Sequence, residues 1–299
     1  MRVLITGGAG FVGRKLVSHL SEHGHQVVAT YHTNTPDVEA VETHKLDVRD
    51  RTEVGSLIEE VSPDAVVHAA ALVDADACEQ DPDLAREVNV EGTDAVVRTC
   101  ERIDAKIVLF SSSFVFSGGE RLYVEDSTRD PINTYGETKV DAEDIVRDAA
   151  VPSLVVRIDQ PYGWCADWQS PSMIEWVLDG LQGSGSLEVF TDWYNNPVYN
   201  GDVAACIQLL LEGQYDGVYH VVGPEYISRY RWARRIAAIF GYDVDRIVPS
   251  LSSDVPLPAT RPNAKLSSTR LVERTGYAPK GIYDGLRCMR ETRPELSNG

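Results

Sequence analysis

The chain predicts an α/β protein: a doubly wound parallel sheet with a smaller C-terminal lobe. Three observations carry this. Short apolar runs alternate with segments of helical spacing through the first half. The first run ends in glycines that open a helix. The second half loses the alternation and is richer in Trp, Tyr and Pro.

In chain order, Val3 to Thr6 reads as a strand, and Lys15 to His23 as a helix with Leu16, Val17 and Leu20 on one face, closed by Gly24. Gln26 to Tyr31 is a second strand, and His44 to Leu46 a third that ends at Asp47. Asp50 to Val61 is helical up to Pro63. Ala65 to Ala71 is a continuous apolar run, as expected of a strand buried on both faces. Leu84 to Arg102 is one long helix, Ile107 to Phe110 a strand entering three serines, Tyr135 to Ala149 a helix and Ser153 to Arg157 a strand. Beyond these, Val203 to Leu211, Arg231 to Phe240 and Ser267 to Thr275 read as helices, and Val218 to Val222 as a strand. Right-handed crossovers place the strand C-termini on one edge, where such sheets bind ligands. The expected division is a nucleotide-binding domain of residues 1–160 and 196–225 and a lobe of residues 161–195 and 226–299.

Thr6-Gly7-Gly8-Ala9-Gly10-Phe11-Val12-Gly13 follows the first strand and opens a helix. Glycines at positions 7, 10 and 13 allow a tight turn, a close backbone approach to a pyrophosphate, and close helix–strand packing. Helix N-terminal N–H groups then face the phosphates. This is the signature of a Rossmann-type dinucleotide site, and NAD(P) is the expected cofactor. At the end of the second strand, where an acidic residue would grip a ribose 2′-hydroxyl, Tyr31 stands, followed by His32, Thr33 and Asn34. NADP is therefore expected to be preferred over NAD, although no Arg stands beside Tyr31 to clamp a 2′-phosphate.

Tyr135-Gly136-Glu137-Thr138-Lys139 places a phenol and an amine at i and i+4, on one helix face. Reduction of a ketone needs a proton donor at the carbonyl oxygen. A Tyr serves when a nearby ammonium stabilises its phenolate, and a Ser hydroxyl can orient the oxygen. Ser112, at a strand C-terminus, is the candidate hydroxyl.

The bulk properties exclude other classes. A net charge of −18 disfavours nucleic-acid binding. No apolar run is long enough to span a bilayer. Met1 to Gly7 reads as a strand running into a glycine turn rather than as a signal peptide, so a cytoplasmic protein is expected. Five cysteines without paired spacing predict neither a disulfide framework nor a zinc site, and no metal is expected. A dense carboxylate surface with little Lys matches the composition of salt-loving organisms, where salt screens self-repulsion.

Together these residues resemble the extended short-chain dehydrogenase/reductase family over nearly the whole chain. Asp47-Val48 is similar to its adenine-contacting pair, and His68-Ala69-Ala70-Ala71 to the strand passing under the cofactor. Asn89 resembles the Asn that supports the active-site backbone. Within the family the resemblance runs to the dTDP-4-dehydrorhamnose reductases. Ser111 to Gly118 is similar to their S-T-D-Y-V-F-x-G segment, and Arg261-Pro262 with Leu266 and Leu271 to their C-terminal R-P motif. Asp192, Pro197 and Asp202-Val203-Ala204 resemble the stretch before their domain-crossing helix.

The resemblance implies Ser112, Tyr135 and Lys139 as the catalytic set. It implies cofactor contacts at Gly7, Gly10, Phe11, Val12, Gly13, Tyr31, His32, Asp47, Val48, Ala69, Ala70, Ala71, Asn89, Tyr135, Lys139 and Pro161. Substrate contacts are implied at Ser113, Gln160, Trp193 and Arg261, the last toward phosphates, with Trp164 or Trp193 stacking on base or sugar. The implied activity is NADPH-dependent reduction of the 4-keto group of a nucleotide-linked 6-deoxysugar, by a monomer or homodimer. Ser113 replaces the family's Asp, Phe114 its Tyr and Gln160 its Trp, which bears on the identity of the sugar. The rival readings are an epimerase or dehydratase of the same family that retains NAD, and a non-catalytic NADP-binding subunit of another enzyme.

Overall fold

The computed structural model describes residues 1–38 and 41–293. Seven strands form one sheet: β1 (Arg2–Thr6), β2 (Gln26–Tyr31), β3 (Glu42–Lys45), β4 (Ala65–His68), β5 (Lys106–Ser112), β6 (Ser153–Ile158) and β7 (Gly217–Val221). Their order is β7-β6-β5-β4-β1-β2-β3, with every pairing parallel. Strand order reverses between β1 and β4, which opens a crevice at their C-terminal ends.

The helices are α1 (Phe11–Glu22), α2 (Arg51–Val61), α3 (Ala75–Gln80), α4 (Pro82–Arg86), α5 (Gly92–Ile103), α6 (Thr134–Arg147), α7 (Met173–Gly180), α8 (Asn200–Glu212), α9 (Arg229–Phe240), α10 (Thr269–Thr275) and α11 (Ile282–Glu291). Strand alternation supplies two cores. Val3, Ile5 and Val67 pack against α1 and α8 on one face, while Leu4, Val66 and Leu109 pack against α2, α5 and α6 on the other. A further core gathers Tyr162, Ile174, Val177, Trp232, Ile236 and Leu286 from α7, α9, α11 and the chain around them. The sequence reading expects a smaller lobe from these segments. Among the described residues, no helix is long and apolar enough to cross a membrane.

Four of the differences from the sequence reading bear on the site. Helix α1 begins at Phe11 rather than Lys15, directly behind the glycine turn. The third strand is Glu42–Lys45 and ends one residue early. The apolar run after Ala65 leaves the sheet at His68, so the three alanines line the crevice instead. The helix expected from Leu84 to Arg102 is interrupted by a π-helical turn, Glu87–Glu91, between α4 and α5.

Candidate active site

Two clefts of about 500 Å³ and 490 Å³ run end to end along the C-terminal edge of the sheet and share Gly10, Ala69 and Ala71. Together they form one groove, with β2 and β3 at one end and β5 and α6 at the other.

The middle of the groove is the glycine turn. Gly7 takes φ +68°, and its carbonyl accepts from Gly10 N at 2.9 Å. A Cβ on Gly7 would lie 2.7 Å from Ala70 N, and one on Gly13 would lie 2.2 Å from the Gly7 carbonyl oxygen. Only glycine permits this packing of α1 on β1. Gly10 caps α1 without a side-chain hydrogen bond, which leaves first-turn N–H groups for an anion. From the second lobe, Trp168 Nε1 and Gln169 Nε2 both donate to the Ala9 carbonyl, at 3.3 and 2.8 Å. Neither contact was foreseen, because no local pattern links residues 159 or more positions apart.

At the β2 end, Tyr31, His32, Asp47 and Val48 line the groove as expected. Arg49 lines it too. The expectation of no Arg near Tyr31 therefore holds along the chain but not in space, because β3 pairs beside β2 and brings the following turn alongside. Arg49 Nη2 donates to Asp47 at 2.6 Å, and this pairing holds the Asp47 carboxyl down to about 2.

At the opposite end, Ser112, Tyr135 and Lys139 line the same cleft as Phe11, Val12, Gly13 and Pro161. Asn133 starts α6 by accepting from Gly136 N at 2.8 Å, while its Nδ2 donates to the Thr260 carbonyl at 2.7 Å. Tyr135 is enclosed by Phe114, whose ring lies edge-on at 5.4 Å, and by Cys78 and Ala259. Burial pushes the Tyr135 hydroxyl up to about 12, against a lowering hydrogen bond from Ser112. Burial also pushes Lys139 down to about 8, against the opposing carboxylate of Glu143. The sequence reading had Lys139 lowering the phenol. In this structure desolvation outweighs any such effect, and each group is biased toward its neutral form.

Some expected residues stand off the groove. Asn89, in the π-helical turn, is buried. Its Oδ1 accepts from Leu72 N at 2.8 Å, and its Nδ2 donates to Leu72 O and Thr138 Oγ1, both at 3.0 Å. It braces the alanine segment against α6 and is not part of either cleft's lining. Ser113 points away and donates to buried Asp159 at 2.9 Å. Trp164 donates to Met289 O and packs on Phe240 inside the second lobe. Gln160, Trp193 and Arg261 do reach the cleft. However, Arg261 is engaged by Asp76 at 2.6 Å. Asp159 and Arg229 line the cleft as well, and no sequence pattern flagged either.

A glycine cradle at a helix N-terminus fits a dinucleotide pyrophosphate, and the groove continues from it to Ser112, Tyr135 and Lys139. Fold and site together define an oxidoreductase of the short-chain dehydrogenase/reductase class. A family model described as the RmlD substrate binding domain matches residues 1–291, and the chain belongs to that family. It is 30% identical over 301 residues to the probable low-salt glycan biosynthesis reductase Agl14 of Haloferax volcanii, covering 100% of both chains. It is 31% identical to the methionine adenosyltransferase 2 subunit beta of Rattus norvegicus, over 90% of this chain and 81% of that protein. Its fold matches a dTDP-4-dehydrorhamnose reductase from Bacillus anthracis solved in complex with NADP, with a TM-score of 0.86 and 23% identity, over 98% of this chain and 99% of that one.

Proposed function

We propose that the chain is a cytoplasmic reductase that uses NADPH to reduce the 4-keto group of a nucleotide-linked 6-deoxysugar. The observation that carries the reading is the convergence of Ser112, Tyr135 and Lys139 on a groove continuous with the glycine turn. A reductase 30% identical over the whole chain supports it.

Residues around the turn, with Tyr31, His32, Asp47 and Val48, would hold the dinucleotide. When bound, its reduced nicotinamide supplies hydride. Ser112 hydrogen-bonds the keto oxygen. Tyr135, protonated across the neutral range, delivers its proton to that oxygen. Lys139, charged below about pH 8, stabilises the phenolate left behind. Phe114 and the enclosed wall keep water from the reacting oxygen. Tyr31 in place of an acid, with Arg49 within the same cleft, favours NADPH over NADH.

The test is NADPH oxidation, followed at 340 nm, with dTDP- and UDP-linked 4-keto-6-deoxysugars. Turnover is expected. Purified protein retaining stoichiometric NAD, with no net oxidation, would instead establish an epimerase. The methionine adenosyltransferase relative favours a second reading, a non-catalytic NADP-binding subunit. NADPH binding without turnover of any keto-sugar would select it.

A further inference from the structure

A third cleft of about 340 Å³ lies against the catalytic one, and the residues lining both are Gln160 and Arg229. These two side chains are bonded to each other, Arg229 Nη2 donating to Gln160 Oε1 at 2.8 Å. The dividing wall is unusual in three ways. Gln160 sits at φ +40°, a left-handed conformation that a non-glycine residue holds only at a cost of about 1–3 kcal/mol. Such strain concentrates where ligands are gripped. Next, the Arg229 guanidinium lies 3.5 Å over the Trp193 ring, yet Arg229 Nε and Trp193 Nε1 are both buried without a hydrogen-bond partner among the described residues. Finally, the charge is under-compensated. Arg229 makes no ion pair among the described residues, whereas Arg261, 5.3 Å from the same ring, is neutralised by Asp76. Burial and repulsion from Arg261 push Arg229 down to about 10, against the opposing carboxylate of Asp159. A desolvated cation short of a counter-ion favours an incoming anion.

We propose that the Arg229–Gln160 pair is the anchor for the diphosphate of the substrate, placed at the wall between the cleft of Tyr135 and the cleft of Phe190 and Trp176. This rests on the nucleotide-sugar reading above. Arg261 then has a bracing role: its guanidinium ties α3, through Asp76, to the Ala259 carbonyl. Gln160 holds the guanidinium over Trp193 through Nη2, leaving the remaining Nη N–H groups for phosphate oxygens.

Calorimetric titration of the NADPH-loaded protein with dTDP and with thymidine isolates the anion's share. Arg229→Met is expected to weaken dTDP binding about ten- to a hundredfold, as for loss of charge-assisted hydrogen bonds. Thymidine and NADPH affinities stay as in the wild type. KM for the keto-sugar rises, and kcat changes far less. Arg261→Met shifts dTDP affinity less than about threefold, too little for a lost phosphate contact. Should Arg229→Met fail to fold, Arg229→Lys reads the same effect more mildly. A lysine cannot make the bidentate contact, so dTDP alone weakens, by about three- to tenfold. Wild-type dTDP affinity in a folded Arg229 variant overturns the anchor, as does loss confined to Arg261→Met or loss shared equally with thymidine. Wild-type protein that ignores dTDP yet reduces free keto-sugars removes the nucleotide-sugar reading along with the anchor. Tight dTDP binding independent of Arg229 removes the anchor alone.

Discussion

Tyr135 keeps its proton to about pH 12 while Lys139, one helical turn away, loses its proton near 8. The two values give the acid–base behaviour of the site a definite sign. The phenol is available as a donor across the whole working range. The ammonium that must steady the phenolate disappears as pH rises through about 8, so kcat/KM for NADPH-dependent reduction should fall above that pH. A pH–rate profile checks this, and Lys139→Arg should move the falling limb to higher pH. Tyr135→Phe should lower kcat by about a hundredfold or more, the usual worth of a positioned acid, with NADPH affinity unchanged by calorimetry. At the far end of the groove, Tyr31→Asp should reverse the cofactor preference. The new carboxylate would repel a 2′-phosphate and accept from a 2′-hydroxyl, so NADH should bind more tightly than NADPH in the variant.

Among the elements, the interrupted helix has the most to say about the site. The π-helical turn holds Asn89, which reaches both Leu72 and Thr138. Thr138 in turn donates to the Tyr135 carbonyl at 2.8 Å. Asn89 thus fixes the first turn of α6 relative to the alanine segment beneath the groove. Asn89→Ala leaves the part-buried Leu72 N–H without this partner and should cost about 1–2 kcal/mol in denaturant unfolding. It should also lower kcat, since the acid loses its register.

Sequence alone located Gly7 to Gly13 and the Tyr135–Lys139 pair because each is a local pattern whose spacing has one geometric meaning. It missed the π turn, because periodicity over Leu84 to Arg102 averages through a single inserted residue. It missed Arg49 and Arg229, because strand pairing and lobe packing bring them to the site from afar. It assigned Ser113 to substrate, whereas the buried carboxylate of Asp159, 46 residues on, claims that hydroxyl. Helix α7 was legible and went unread: Ser172 and Glu175 form a complete capping box.

At the scale of the whole molecule, the net charge of −18 sits on a fold whose main cores, two on the sheet faces and one in the lobe, are aliphatic and aromatic, with only Glu125, Glu143, Asp159 and Asp202 buried among the acids of the described residues. The excess carboxylates are therefore a property of the surface. Many are paired at the rim, as in Arg14–Asp37 and Arg51–Asp94. Exposed pairs of this kind contribute little each, and the remaining negative charges repel one another. Thermal unfolding should shift upward by several degrees between 0.1 and 3 M KCl, because screening shortens to a few ångströms. A melting temperature flat across that range would rule out adaptation to salt.

One amide joins these scales. Asn133 begins the helix bearing Tyr135 and Lys139 with its oxygen, and with its nitrogen holds the Thr260 carbonyl next to Arg261. The same side chain that sets where the acid starts thus measures the gap to the opposite rim of the cleft. A displacement of that rim would therefore reach the first turn of α6 through one planar group, with no intervening residue.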